Sequence, residues 1–276
     1  MAVRDAIASG GEHALQRGLD APERRLSRGA HQRGPPPGAR VTVDLEAWDR
    51  EGWFVVRALI DLRTVAALQA ATSDLERRAA AFEHDTSVGG TYFEVQTASG
   101  RKRQPAMAPG VLRKITGPSK SEPAFARLRT DRRVLAVVRG LGIPDPRCVV
   151  DQVNFKPPRI GSGFPYHQDA GFLYGPARAR LDANGGAHLV VALDPSDVGN
   201  GGFEVLGRTH RSPLVDLEHR YDTSTRNEDL FDLTYREVPT LAPGDAVVFH
   251  PMLAHGSGPN RSDRRRRLVT MWWVGS

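Results

Sequence analysis

The sequence predicts a mainly β protein with flanking helices, a double-stranded β-helix of the jelly-roll, cupin-like kind. Three observations carry this expectation. From Cys148 onward, strand-like segments follow one another at 148–156, 187–194, 202–206, 245–250 and 267–274, separated by Gly, Pro and Asn turns. Two helix-patterned stretches precede them and would brace a sheet from outside. The residues with metal-binding chemistry stand about ninety positions apart, a separation that the antiparallel strands of a jelly roll close.

In chain order, residues 1–40 are rich in Ala, Gly and Arg and end in Pro35-Pro36-Pro37. They hold too little apolar surface to fold alone, so they read as a mobile leader ahead of one domain at 41–276. Leu45 to Trp48 suggest a short helix, and Gly52 to Val56 a first strand. Asp61 is placed to cap a long helix with apolar residues at 65, 68 and 75. A second helix is expected over 122–140, carrying Phe125, Leu128, Val134, Val137 and Val138. The β segments follow, with hairpin-type turns at Asn200-Gly201-Gly202 and Pro243-Gly244-Asp245. There is no internal repeat.

Composition narrows the function classes. A chain of 276 residues with 39% hydrophobic content can bury one large core. It has no run of eighteen apolar residues, and so no expected membrane span. The first residues lack the apolar stretch of a secretory signal, and the single Cys148 excludes an internal disulfide; both suit a reducing cytoplasm. Cys148 itself, in an apolar run, reads as a buried, inert thiol. The net charge of +6 arises from residues 1–40 (+3) and 261–267 (+4), leaving the rest near neutral. No basic stripe could track a nucleic-acid backbone, so the partner is expected to be a small molecule. The oligomeric state is not legible.

The chemistry concentrates in His167-Gln168-Asp169 and His255-Gly256-Ser257. On a strand, residues i and i+2 project from one face, so H-x-D would deliver both ligands into one cavity. Two histidines and a carboxylate can occupy one face of an octahedral Fe(II), leaving three positions open. His255 follows the buried strand 246–249 after a short bend. His250 competes for the third place because it closes that strand, but the residues after His255 suit a co-substrate site better. His188, His210 and His219 read as hydrogen-bonded or solvated. Arg266 is the candidate anchor for the far carboxylate of a diacid, since a planar guanidinium grips a carboxylate with two bonds. It lies in the run Arg264-Arg265-Arg266-Arg267, so the choice depends on strand register. Ser257 could donate a further bond to the same carboxylate.

The stretch Val153-Asn154-Phe155-Lys156-Pro157 followed by His167-Gln168-Asp169 resembles the phytanoyl-CoA dioxygenase family of 2-oxoglutarate oxygenases. Asn200-Gly201-Gly202 with Gly207-Arg208-Thr209-His210 is similar to that family's N-G…P-G-S-H hairpin, and His255 to Asn260 to its H-x-S-x-P-N segment. The wording V-N-F-K-P is similar to the ectoine hydroxylase branch, though Ala170 to Tyr174 departs from it, so that branch's substrate is not carried over.

The resemblance implies a double-stranded β-helix holding Fe(II) through His167, Asp169 and His255. It also implies 2-oxoglutarate and O2 as co-substrates, with Arg266, Ser257, Asn154 and Lys114 toward the keto acid. The expected reaction is hydroxylation of a C–H bond with formation of succinate and CO2, on a natural-product or secondary-metabolite intermediate. A carboxylate at 169, where halogenases of this architecture have a small residue, favours oxygenation over halogenation. Phe164, Tyr166, Phe172 and Tyr174 are candidate pocket residues. The stretch 176–186 would form a wall, and 211–240, with Tyr221, Phe231 and Tyr235, a lid. Three rivals stand beside this reading: a cupin-type isomerase or lyase without 2-oxoglutarate, a demethylase of protein or nucleic acid, and a binding module without activity.

Overall fold

In a computed structural model, which describes residues 41–98, 104–215 and 226–276, the first helix α1 (Leu45–Glu51) starts at Asp44, whose carboxylate accepts from Ala47 N. The leader expected at 1–40 lies outside the described residues. Strand β1 (Trp53–Val56) follows, then α2 (Leu62–Arg78), capped as expected by Asp61 through a 2.7 Å bond from Thr64 N. Val65, Leu68, Thr72 and Leu75 recur at helical spacing and are buried. Leu68 and Leu75 are fully enclosed, and each contributes about 1.5–3 kcal/mol by leaving water.

The single helix expected over 122–140 is two helices, α3 (Pro123–Leu128) and α4 (Arg132–Gly140). The break falls at Asp131, which adopts an extended backbone and accepts from Arg133 N at 2.8 Å. A short acidic side chain competes with the helix for its own backbone, so it starts a new helix instead of continuing the old one.

Twelve strands lie in two antiparallel sheets among the described residues. They are β1, β2 (Thr86–Val88), β3 (Thr91–Val95), β4 (Leu112–Thr116), β5 (Arg147–Lys156), β6 (Phe164–Gln168), β7 (Gly186–Ala192), β8 (Glu204–Leu206), β9 (Arg236–Glu237), β10 (Ala246–Phe249), β11 (Ala254–Ser257) and β12 (Arg266–Val274). The large sheet runs β1-β10-β7-β12-β5-β4-β3-β2 and the small one β6-β11-β8-β9. This is the double-stranded β-helix expected from the sequence. A fifth helix, α5 (Gly175–Asn184), occupies most of the stretch 176–186 expected to form a wall.

Alternation on β12 organises the interior. Val269, Met271 and Trp273 join the core that the large sheet shares with Leu68, Phe125 and Val137 of the helices. Leu268 belongs instead to the second core with Val190, Phe203, Val205 and Phe249. Arg266, Thr270 and Trp272 share its face and line a cavity. Both faces of β12 are therefore buried, which explains its nearly unbroken apolar run.

Candidate metal centre and co-substrate cavity

Strands β6 and β11 pair so that His167 and His255 stand directly opposite, their rings 4.3 Å apart. Asp169 lies one residue beyond β6, at the start of a short 3-10 turn, Asp169–Phe172. Gln168 remains extended, so the carboxylate still comes to the side of His167. Asp169 Oδ1 is 3.4 Å from His167 Nε2 and 3.5 Å from His255 Nε2. All three ligand atoms lie within 4.8 Å of one another. Adjacent ligands of an octahedral ion with bonds of about 2.1 Å sit about 3 Å apart, so these residues fit one face of such an ion.

Hydrogen bonds set the tautomers. His167 Nδ1 lies 2.7 Å from Pro165 O and His255 Nδ1 3.0 Å from Leu253 O. Each carbonyl accepts the Nδ1 proton, leaving both Nε2 lone pairs facing the site. His188 Nδ1 meets Asp169 Oδ2 at 2.8 Å, and its ring stacks on Trp272 at 4.9 Å. Burial alone would raise the Asp169 carboxyl. His255, His167 and His188 beside it hold it well below the usual carboxylate range. Burial, and then His255, keep His167 below its ordinary value and so in the neutral form a metal requires.

His250 does not enter this cluster. Its Nδ1 accepts from Met252 N at 3.1 Å, and its ring packs on Trp48. The turn 250–253 that separates it from His255 is what carries the chain back into the cavity. Gln168, between the two ligands, was not singled out by sequence. Its amide donates to Met252 O and accepts from Val215 N, both at 2.8 Å, fastening two loops around the metal motif.

A cavity of about 900 Å³ opens over the ligands. Arg266, Ser257, Asn154 and Lys114 all line it. Strand register separates the four consecutive arginines. Arg264 pairs with Asp197, Arg265 with Glu76, and Arg267 forms a two-bond pair with Asp194 at 2.8 Å. Arg266 has no carboxylate partner among the described residues. It is 2% exposed, gives Nη2 to Gly201 O at 3.0 Å, and leaves Nε buried without a partner. Burial pulls its guanidinium down to about 9, still charged at neutral pH. Gly201 is in the left-handed region at φ 73, and a Cβ there would meet Gly258 O at 2.6 Å. Asn154 donates to Thr270 Oγ1 at 2.9 Å, and Lys114 lies 3.4 Å from Glu94.

The expected pocket residues divide. Phe164, Phe172 and Tyr174 line the cavity, Phe172 edge-on to His167. Tyr166 does not, because strand alternation turns it to the other face of β6, where its hydroxyl donates to Glu204 Oε2 at 2.7 Å. Of the wall expected at 176–186, no residue is among those lining the cavity; its α-helix packs on Trp272 and Val274 from outside. Leu214 and Val215 do reach the cavity, whereas Phe231 packs on Tyr166 and Tyr235 lies under Arg208. Tyr221 and the rest of 216–225 fall outside the described residues. Cys148 is half-buried rather than enclosed; its thiol donates to Val150 O, and burial pushes it up to about 12, which agrees with an inert group.

Comparison with known proteins gives a consistent result. The family model for phytanoyl-CoA dioxygenase (PhyH) matches residues 48–268. The ectoine dioxygenase of Sphingopyxis alaskensis is 27% identical over 232 residues, covering 78% of this chain and 69% of that protein. A phytanoyl-CoA dioxygenase domain-containing protein 1 homolog of Caenorhabditis briggsae is 22% identical over 260 residues, covering 81% and 87%. The crystal structure of EctD from S. alaskensis with 2-oxoglutarate and 5-hydroxyectoine superposes with a TM-score of 0.65 at 24% identity, covering 88% of this chain and 79% of that one. At that identity the superposition shows the shared fold.

Proposed function

The chain belongs to the phytanoyl-CoA dioxygenase family of iron- and 2-oxoglutarate-dependent oxygenases, and from that premise we propose that it hydroxylates a C–H bond of a small molecule, an intermediate of secondary metabolism. The observation that carries the reading is the pairing of a complete His167–Asp169–His255 face with the buried, carboxylate-free guanidinium of Arg266 in one cavity. A buried N–H of a charged group is costly to leave unpaired, and a diacid reaching from the metal would satisfy it.

In this reading His167, Asp169 and His255 would hold Fe(II), which three protein ligands leave open to reactants. Arg266 would receive the far carboxylate of 2-oxoglutarate, and the Ser257 hydroxyl would add a bond from β11 of the small sheet. Asn154 and Lys114 shape the same wall. When bound, the iron and the keto acid supply the oxidising chemistry with O2, with succinate and CO2 as co-products. Val190, Phe203, Leu268 and Trp272 keep the inner cavity apolar and exclude water from the reacting centre. Phe172 and Tyr174, 38% and 76% exposed, mark the side where a substrate enters.

The test is product analysis under 18O2 with Fe(II) and 2-oxoglutarate. One labelled oxygen in succinate, abolished by Asp169→Ala, is the expected result. Iron uptake without succinate would favour the rival cupin-type isomerase or lyase.

A further inference from the structure

Arg113 is a second buried guanidinium on the cavity wall, and a strand irregularity puts it there. β4 pairs regularly with β3 from Tyr92↔Thr116 to Glu94↔Lys114, then slips so that Val95 meets Leu112. Arg113 is the extra residue of this bulge. In a regular strand it would point away from Lys114, into the apolar layer that holds Ile115. The bulge re-aims it, and both basic residues line the same cavity. Its guanidinium lies 3.8 Å over the ring of Phe164 and gives Nη1 to Glu94. The residue is 2% exposed, and Nη2 is buried with no hydrogen-bond partner among the described residues.

The charges that line the cavity make the same point. Fe(II), Asp169, 2-oxoglutarate and Arg266 together come to zero. Among the described residues that line the cavity, Arg113 and Lys114 share the single carboxylate of Glu94, which leaves one positive charge in excess. Giving Lys114 to the keto acid instead does not change the total. Lys156, fully enclosed nearby, is driven toward its neutral form by burial and by Arg266 and Arg113, and counting it as charged would only enlarge the excess.

We propose that the primary substrate carries an oxyanion, a carboxylate or a phosphorus oxyanion, and that Arg113 binds it at the β3–β4 end of the cavity. This rests on the oxygenase reading and deepens it to a substrate class. Glu94 holds one edge of the guanidinium and the Phe164 ring supports its plane, so the group is fixed at the cavity wall with Nη2 still to be paired. A neutral analogue would leave that N–H unpaired and be rejected on this ground.

The experiment uses the full-length protein, anaerobic, loaded with Fe(II) and saturated with 2-oxoglutarate. Phenylacetate, 3-phenylpropionate and phenylphosphonate are titrated against phenylacetamide and 3-phenylpropionamide, with dissociation constants read by ligand-observed NMR. At least one anion is expected to bind about tenfold more tightly than its neutral counterpart. Arg113→Gln should erase that preference, Arg113→Lys retain part of it, and Glu94→Gln strengthen it, with the affinity for 2-oxoglutarate unchanged throughout. The opposite sign in Glu94→Gln is a readout that a purely structural Arg113 would not give. Equal binding of the neutral probes, no binding of any anion, or a preference that survives Arg113→Gln would overturn the proposal. So would a selective loss of 2-oxoglutarate binding in that variant, which would assign the guanidinium to the co-substrate. Failure of the wild type to take up 2-oxoglutarate would instead overturn the oxygenase reading, and the same probes on metal-free protein would still judge the anion site.

Discussion

His188 holds the outer oxygen of Asp169 while the inner oxygen faces the two metal histidines: Nδ1 to Oδ2 is 2.8 Å, and Oδ1 lies 3.4–3.5 Å from His167 and His255. The imidazole is itself immobilised against Trp272, so the carboxylate has one orientation available. Groups that orient metal ligands in this way set affinity as the ligands do.

Replacing His188 with Phe keeps the stack and removes the hydrogen bond. Iron affinity should fall by about 10–100-fold, with the fold retained. Anaerobic Fe(II) titration monitored by tryptophan fluorescence measures it, and unchanged affinity would reduce His188 to a packing residue.

Arg266 and Arg267 are neighbours in sequence with different surroundings, the first on the cavity wall and the second paired with Asp194. Arg266→Ala should weaken 2-oxoglutarate binding by about 10–100-fold, the loss of a charged two-bond contact worth about 1.5–3 kcal/mol. Arg267→Ala should leave that affinity alone and destabilise the fold by about 3–5 kcal/mol, because Asp194 stays buried without its partner. Co-substrate titration and urea unfolding of both variants separate the two, and a reversal of the pattern would move the anchor.

Tyr166 serves the small sheet rather than the pocket. Its removal from Glu204 in Tyr166→Phe should cost about 1 kcal/mol of stability and leave substrate selection unchanged. Phe172→Ala, at the mouth, should do the reverse. Thermal melts and a substrate panel distinguish them.

Acid should destabilise the metal-free protein. Burial lowers His167 and His188 below their ordinary 6.5, and burial with His210 and His188 nearby takes His250 to about 4. Between the lowered and ordinary values the unfolded chain binds more protons, so stability is full above about 6.5 and is lost as pH falls toward about 4. The melting temperature should drop steadily from pH 7 to 5, and iron should be released over the same range as protons compete for His167. A flat melting profile would contradict this.

The β segments from 148 onward and the metal motif were legible because both follow local rules: alternation, turn residues and short ligand spacing. Strands β3 and β4 were not, since one of their faces lines a polar cavity and so Glu94, Arg113 and Lys114 interrupt the apolar pattern. Arg113 escaped attention for a related reason, because nothing in Leu112-Arg113-Lys114 announces a bulge. For His188 the sequence leaves hydrogen-bonded and solvated open, because its partner Asp169 is brought to it only by the placement of β7 behind the metal motif. Conversely, the break in 122–140 has a local cause, the capping side chain of Asp131.

The central claim is that the three ligands and Arg266 together receive a metal-chelating keto acid. Anaerobic addition of 2-oxoglutarate to the Fe(II)-loaded protein tests it most directly. A weak metal-to-ligand charge-transfer band should rise near the middle of the visible spectrum, disappear in His255→Ala, and require more 2-oxoglutarate in Arg266→Ala. Iron binding with no such band at saturating 2-oxoglutarate would contradict the account.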